Sequence, residues 1–154
     1  MSRQRGVVLL LALVLSLLLG LLAASALREA LVETRLTGEL RDGLLALEQA
    51  EATLLAGEGE LRRAPPALCS ACLPPSRPHE LVGLWQRAGD GFFQVQNLGT
   101  SDRAAHMPEG QQATLFRVTA VSLHAEPRYV LEAVYAVVDD TTRRVTWRQR
   151  LRGD

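Results

Sequence analysis

The chain has 154 residues, with 17 basic and 17 acidic side chains and a formal net charge of zero. A balanced charge of this kind implies neither a nucleic-acid polyanion nor a strongly acidic partner. Once the apolar N-terminal stretch is set aside, about 125 residues remain, which is enough for one small domain and no more.

The N-terminus has the composition of a segment that directs a protein to a membrane. Residues 3–6 (Arg-Gln-Arg-Gly) lead into Val7, and no ionisable side chain follows until Arg28. At about 1.5 Å per residue, residues 7–27 cover roughly 30 Å, the thickness of the hydrocarbon core of a bilayer. The arginines before this segment predict a cytoplasmic N-terminus and an external position for the rest of the chain.

Three fates of the apolar segment 7–27 are open. It is an uncleaved anchor, a secretory signal peptide, or a helix kept on the mature protein after cleavage at Gly6. Residues 24–26 (Ala-Ser-Ala) fit the A-x-A site of a signal peptide, and a cut after Ala26 would remove the segment. Its length, however, exceeds the usual apolar region of about 7–15 residues. Helix-forming sequence also continues past Ala26, where a signal peptidase would need an extended substrate.

Residues 28–58 predict an amphipathic continuation of this helix. They contain no proline, and Leu, Ala, Glu and Arg dominate. Apolar residues recur at intervals of three, four or seven and define one stripe, which consists of Leu36, Leu40, Leu44, Leu47 and Leu54. Gly57 and Gly59 predict the end of the helix. The stripe requires a sheet or another helix to cover it.

Two motifs in this first part of the chain resemble those of a known family. Residues 4–9 (Gln-Arg-Gly-Val-Val-Leu) look like a type III signal, the class that prepilin peptidase cuts after the glycine. Residues 33–58 follow the pattern E-x-R-x-x-G-x-L-R-D, a spaced alanine, A-E-A and then L-x-x-G-E. Together they resemble the type IV pilin superfamily and, within it, the PilX-type minor pilins. The resemblance is good up to about residue 60 and loose beyond it.

This resemblance implies a structural subunit of a type IV pilus, with residues 1–6 as the prepilin leader. Prepilin peptidase would cut after Gly6, and Val7 would then be methylated. The helix would pack with other minor and major pilins through its apolar residues, among them Val8, Leu11, Leu15, Leu18 and Leu22. Major pilins carry a glutamate at the fifth mature position, where this chain has Leu11, so the resemblance implies a specialised subunit.

The same resemblance implies a location and partners. The chain would cross the inner membrane once, with a cytoplasmic N-terminus and a periplasmic head, and would later enter the pilus fibre or its tip. A priming complex at the tip, with a tip adhesin as a further partner, is the implied role. A pseudopilin of type II secretion is the neighbouring alternative. A secreted or membrane-tethered binding domain with a conventional signal peptide is the alternative from another class.

Residues 59–90 predict a loop region, because prolines cluster between residues 64 and 78. Cys69 and Cys72 lie within this cluster. In an oxidising extracytoplasmic compartment this pair predicts a local disulfide. A free dithiol and a metal site are the alternatives, although His79 is the only further ligand nearby.

Residues 91–154 predict an antiparallel sheet, which makes the fold class α+β, and the resemblance implies a pilin-like layout of one long helix packed on that sheet. Strands are predicted at residues 92–96, 114–124, 129–138 and 144–151, with turns at 126–127 and 139–142. Residues 129–138 are apolar except for Glu132 and predict the central strand. In the last strand, Val145, Trp147 and Leu151 are expected on one face, and Arg144, Arg148 and Arg150 on the other.

Catalytic chemistry is not indicated by the sequence. It contains no Gly-rich phosphate loop, nucleophile elbow or metal-ligand cluster, so we expect neither an enzyme nor a bound cofactor. The arginines between residues 143 and 152 predict a solvated, charge-protected edge strand. A contact with an acidic pilin surface is the alternative, and DNA, which we do not expect as a partner, is the less favoured one.

Overall fold

The computed structural model describes residues 2–70, 72–124 and 128–152, with side chains from Gly6 onwards. The chain divides into two units, one ending at Arg41 and the other beginning at Asp42. The secondary structure consists of helix α1 (Ser2–Arg63), a short 3-10 helix (Pro78–Glu80) and strands β1 (Gln86–Ala88), β2 (Gly91–Ser101), β3 (Ala113–Ser122), β4 (Val130–Val138) and β5 (Thr141–Arg150).

Helix α1 continues past the predicted end at residue 58. Gly57 and Gly59 are both helical, and the helix ends at Arg63, two residues before Pro65. Proline disfavours helical geometry at the residue before it, so the chain leaves the helix here and not at the glycines. Arg62 and Arg63 pair with glutamates one turn earlier and lie at the negative end of the helix dipole.

The predicted α+β class and the antiparallel meander are confirmed. The five strands lie in the order β1-β2-β3-β4-β5, and every neighbouring pair is antiparallel. Strand β1 was not predicted, because three residues with an exposed glutamine and arginine give no alternating pattern. The prediction that residues 129–138 form the central strand was wrong by one position: β3 is the middle strand, and β4 lies between β3 and β5.

The main core lies between the sheet and the part of α1 that follows Asp42. Alternate residues of β3 face the helix, with Phe116, Val118 and Ala120 all buried. They are joined by Phe93 of β2, Leu131, Ala133 and Tyr135 of β4, and Ala50, Leu54 and Leu61 of the helix. We call this side of the sheet the helix face and the opposite side the distal face.

Small residues, and not the predicted leucines, form much of the helix surface against the sheet. Ala46 and Ala50 are fully buried, and a β-carbon placed on Gly57 would lie 2.5 Å from Cγ1 of Val118. Of the predicted stripe, Leu54 is buried and Leu47 is packed against the core. Leu44, in the same unit, is 67% exposed. The prediction that one leucine stripe meets the sheet was therefore wrong for Leu44, because close approach of helix and sheet favours the side with the smallest residues.

A β-bulge in β5 changes which side chains share a face. Arg144 pairs with Tyr135 and Thr146 with Val134, so Val145 is an extra residue between the two pairs. Val145 packs in a second, smaller core with Ala104, Ala113 and Ala136, whereas Trp147 pairs with Ala133 on the helix face. The expectation that Val145 and Trp147 share a face was wrong, because the bulge interrupts the two-residue alternation.

The turn predicted at residues 139–142 is confirmed in a tighter form. Strand β4 ends at Val138 and β5 begins at Thr141, so the connection consists of Asp139 and Asp140. Both have positive φ, 46° and 63°, as a type I′ hairpin turn requires. The turn predicted at residues 126–127 lies outside the described residues.

Candidate assembly surfaces

The apolar segment of α1 is exposed to solvent along its length. Val8, Leu11, Leu15, Leu18 and Leu22 are between 52% and 66% exposed. Their spacing of three and four residues places them along one side of the helix. Among the side chains of the first unit that the structure describes, from Gly6 to Arg41, none is buried, so no core covers these residues.

The described surface of this segment is apolar along its length. Helix α1 includes an 18-residue window with a mean hydropathy of 3.0, of which 0% is buried, so by length and composition it is able to cross a membrane. Its two hydroxyl groups do not interrupt the apolar surface, because Ser16 donates to the carbonyl of Ala12 and Ser25 to that of Leu22, at 2.8 and 2.9 Å. Such a surface suits lipid or a bundle of similar helices.

The two residues predicted to flank the processing site lie in the first turns of α1. Gly6 has no atom within 4 Å of the position that a β-carbon would take, and Val7 is 59% exposed. No described contact requires a glycine at position 6 for the fold. A requirement for glycine here would thus have to come from something outside the folded chain.

The predicted disulfide between Cys69 and Cys72 is present. Its two Cα atoms are 5.4 Å apart, and both cysteines are half-buried. The main chain on its N-terminal side pairs with the outer edge of β2: Leu68 forms a parallel bridge with Asn97, and the Cys69 amide donates to the Asn97 carbonyl at 3.1 Å. The disulfide thus holds a loop that is already attached to the sheet.

The Pro-rich loop is fixed across the distal face by side chains that donate to its carbonyl groups. Arg117 donates to Cys72 at 2.9 Å and Arg150 to Pro75 at 2.8 Å. Two shorter side chains of β2 on this face do the same, as Gln94 donates to Leu84 at 3.1 Å and Gln96 to Leu73 at 3.0 Å. Asn97, whose register partner Phe116 faces the helix, donates to Pro66 at 3.0 Å. Since prolines cannot donate hydrogen bonds themselves, a loop rich in them is best held through its carbonyl groups.

A buried carboxylate organises the arginines that hold this loop. Glu132 of β4 is only 5% exposed, and its register partners are Thr119 on β3 and Arg148 on β5. Its Oε1 accepts from Nε of Arg148 at 3.0 Å. Its Oε2 lies 3.7 Å from Nε of Arg117 and 3.9 Å from Nη1 of Arg150. We call Glu132, Arg117, Arg148 and Arg150 the distal ion cluster.

The distal ion cluster carries more positive than negative charge. Burial lowers the pKa of the Arg117 guanidinium, and the charges of Arg148 and Arg150 lower it further, while Glu132 acts in the opposite direction. One carboxylate therefore lies among three guanidinium groups, and two of these, Arg117 and Arg150, also donate to loop carbonyls. Glu132 thus provides the counter-charge for the two arginines that contact the loop.

A second buried polar group lies at the end of the helix. Burial raises the pKa of Tyr135 to about 12, and the nearby Glu58 carboxylate adds to the effect. Glu58 itself pairs with Arg62 one turn later in α1. The neutral phenol of Tyr135 is therefore part of the contact between α1 and β4.

The predicted solvated arginine edge is only partly present. Arg150 is 6% exposed and belongs to the distal ion cluster, so its assignment to a solvated edge was wrong. Arg143 is exposed but donates to the carbonyl of His106 at 3.2 Å, and Arg148 reaches back to Glu132. Sequence reasoning missed the cluster; its only signal was the single charge of Glu132 in an apolar strand.

Within the parts of the chain that the structure describes, no group of three or more His, Cys, Asp and Glu side chains could hold a metal ion. Comparison of the chain with protein-family models, with curated proteins and with solved structures finds no match. The structural class that can be stated is an α+β protein with a long N-terminal helix, apolar in its first part and packed in its last part on a five-stranded antiparallel sheet.

Proposed function

We propose that this chain is a PilX-like minor pilin, a non-enzymatic structural subunit that takes part in type IV pilus assembly. The observation that carries the proposal is α1 itself. One helix without a break begins at Ser2, includes the exposed apolar segment, and ends at Arg63 after packing on an antiparallel sheet.

The resemblance of residues 4–9 to a type III signal favours cleavage at Gly6 over cleavage at Ala26. Both sites lie within α1, and the length of the apolar segment, beyond the about 7–15 residues usual in a signal peptide, disfavours the cut at Ala26. Cleavage after Gly6 would keep Val7 and the exposed side chains Val8, Leu11, Leu15, Leu18 and Leu22 on the mature protein. In a fibre, these side chains would be covered by the helices of neighbouring minor and major pilins.

The remaining surfaces fit a subunit that works through contacts. In this proposal the chain crosses the inner membrane once, with its N-terminus in the cytoplasm and its sheet in the periplasm. Prepilin peptidase is the processing partner, and the assembled subunit lies in the fibre or in a tip complex, beside a tip adhesin. Leu11, at the position where major pilins carry glutamate, supports a specialised subunit over the repeating one.

The experiment that tests this proposal is the identification of the N-terminal residue of the mature protein. The chain, carrying a C-terminal tag, is isolated from membranes of cells that express a prepilin peptidase, and its N-terminal peptide is analysed by mass spectrometry. We expect methylated Val7 as the first residue. In cells without the peptidase, or with Gly6→Val, we expect the uncut chain, since no fold contact requires this glycine.

The control variant is Ala26→Gln, which removes the small residue before the alternative cut. It should leave the product unchanged. The opposite result is a mature chain that begins at Leu27, that is no longer formed in Ala26→Gln and that is unaffected by Gly6→Val. This result would refute the pilin assignment and favour a secreted or tethered domain with a conventional signal peptide.

A further inference from the structure

The two edges of the sheet differ in whether another part of the chain pairs with them. At one edge, β1 pairs with the first residues of β2, and the loop residues Leu68 and Cys69 pair with Asn97 further along the same strand. At the other edge, β5 is 10 residues long and pairs with β4 on one side. Among the described residues, no strand pairs with the outer side of β5.

An open edge of this length is able to accept another strand. The outward main-chain groups of residues 141–149 offer a row of donors and acceptors that can bind an extended segment by adding a strand to the sheet. Most β5 side chains are exposed, and Trp147 is 44% exposed beside this edge. Aromatic residues of this kind are enriched among those that contribute most to protein interfaces.

The charge of β5 indicates which kind of segment would bind at its outer edge. Residues 141–152 contain five arginines and no acidic residue: Arg143, Arg144, Arg148, Arg150 and Arg152. Glu132 is the one carboxylate within the described strands, and it lies beside two of these five arginines, Arg148 and Arg150, and beside Arg117 of β3. The bulge at Val145 turns Arg144 to the opposite side of the sheet from Arg148, so both faces of the edge carry a positive charge.

We propose that the outer edge of β5 binds an extended acidic segment of a partner protein, which adds as a sixth strand. A second copy of this chain is disfavoured at the same edge, because two antiparallel copies of β5 would bring arginines opposite one another. An acidic strand places carboxylates against Arg144 and Arg148 and satisfies the outward main-chain groups of β5. This inference does not depend on where the N-terminus is processed.

The test uses the full chain in detergent micelles and a synthetic peptide probe. The probe has ten residues in which pairs of glutamates alternate with pairs of threonines, so that carboxylates lie on both faces of the added strand, and its counterpart carries lysine in place of glutamate. Binding is measured by fluorescence anisotropy, and hydrogen–deuterium exchange reports on the amides of residues 141–150. We expect saturable binding of the acidic peptide, weaker binding at higher salt, and slower exchange in 141–150 but not in 86–88.

Charge reversal at each edge of the sheet gives a matched pair of variants. Arg144→Glu should weaken binding of the acidic peptide by about fivefold or more. Arg87→Glu, on the exposed strand β1 at the opposite edge, should change the affinity by less than about twofold. An unfolding curve for each variant shows whether it is still folded. The hydrogen–deuterium exchange measurement uses the wild-type chain, so it does not depend on the folding of either variant.

Several outcomes would overturn the inference. These are no saturable binding at millimolar peptide, equal affinity for the lysine peptide, and equal weakening by the two reversals. Binding of duplex DNA that competes with the peptide without slowing exchange in 141–150 would assign the edge to a nucleic acid. Slower exchange in 141–150 on raising the protein concentration alone would assign it to a second copy.

Discussion

The contact between α1 and the sheet gives the sharpest test of the fold, through Gly57→Ala. The added β-carbon would lie 2.5 Å from Cγ1 of Val118 and 3.1 Å from Cδ2 of Phe93, both of which are buried side chains that cannot move into solvent. Overpacking of this kind costs about 1–3 kcal/mol. Alanine in place of glycine also favours the helix by about 1 kcal/mol. The net change in the free energy of unfolding should thus be a loss of up to about 2 kcal/mol.

Gly59→Ala is the matched control, because it lies in the same helix and has nothing within 4 Å of the added carbon. It should stabilise the protein by up to about 1 kcal/mol. Since both variants share the gain in helix propensity, their difference of about 1–3 kcal/mol isolates the contact with the sheet. Urea unfolding of the full chain in micelles, followed by tryptophan fluorescence, measures both values. Equal stability of the two variants would refute the close packing at Gly57.

The cost should also depend on the partner side chain. In a double-mutant cycle, Val118→Ala should reduce the cost of Gly57→Ala by more than about 0.5 kcal/mol, because the two residues are in contact. Additive effects in this cycle would mean that Val118 does not limit the approach of the helix.

Three further predictions concern the sheet. Asp140→Gly should stabilise the protein by about 1 kcal/mol in urea unfolding, because its φ of 63° strains a residue with a side chain, and Asp102→Gly, which has no positive φ, should not. Glu132→Gln should destabilise the protein by about 3 kcal/mol, since three arginines lose their buried counter-charge. The control Glu80→Gln, at an exposed ion pair, should cost less than about 0.5 kcal/mol. Equal costs of the two variants would contradict the distal ion cluster. The raised pKa of Tyr135 favours its neutral form in the folded state. Its contribution to stability is therefore complete below pH 10.0 and is lost as the pH rises to about 12. The urea midpoint of the wild-type chain should fall over this pH window, and the midpoint of Tyr135→Phe should fall less steeply.

The elements that were predicted correctly depend on local pattern. The long helix, the disulfide and the strands β3 and β4 follow from composition, spacing and alternation, which act within a few residues. The turn at Asp139 and Asp140 was identified because aspartate tolerates left-handed geometry and favours turns. The α+β class followed from the order of these elements.

The elements that were missed depend on contacts between distant residues. Gly57 suggested the end of a helix because glycine often has that role, whereas here the sheet needs its missing side chain. Leu44 fits an apolar stripe as well as Leu54 does, and only the position of the sheet distinguishes them. The distal ion cluster required the register of three strands together with the loop, and neither is visible along the chain.

We propose that this chain is a structural subunit that takes part in pilus assembly. The most direct measurement is the number of pili per cell, counted by electron microscopy after deletion of the gene in its own organism. We predict few or no pili in the deletion strain, restoration by the wild-type gene, and no restoration by the Gly6→Val allele. Normal numbers of pili and normal motility in the deletion strain would contradict the claim.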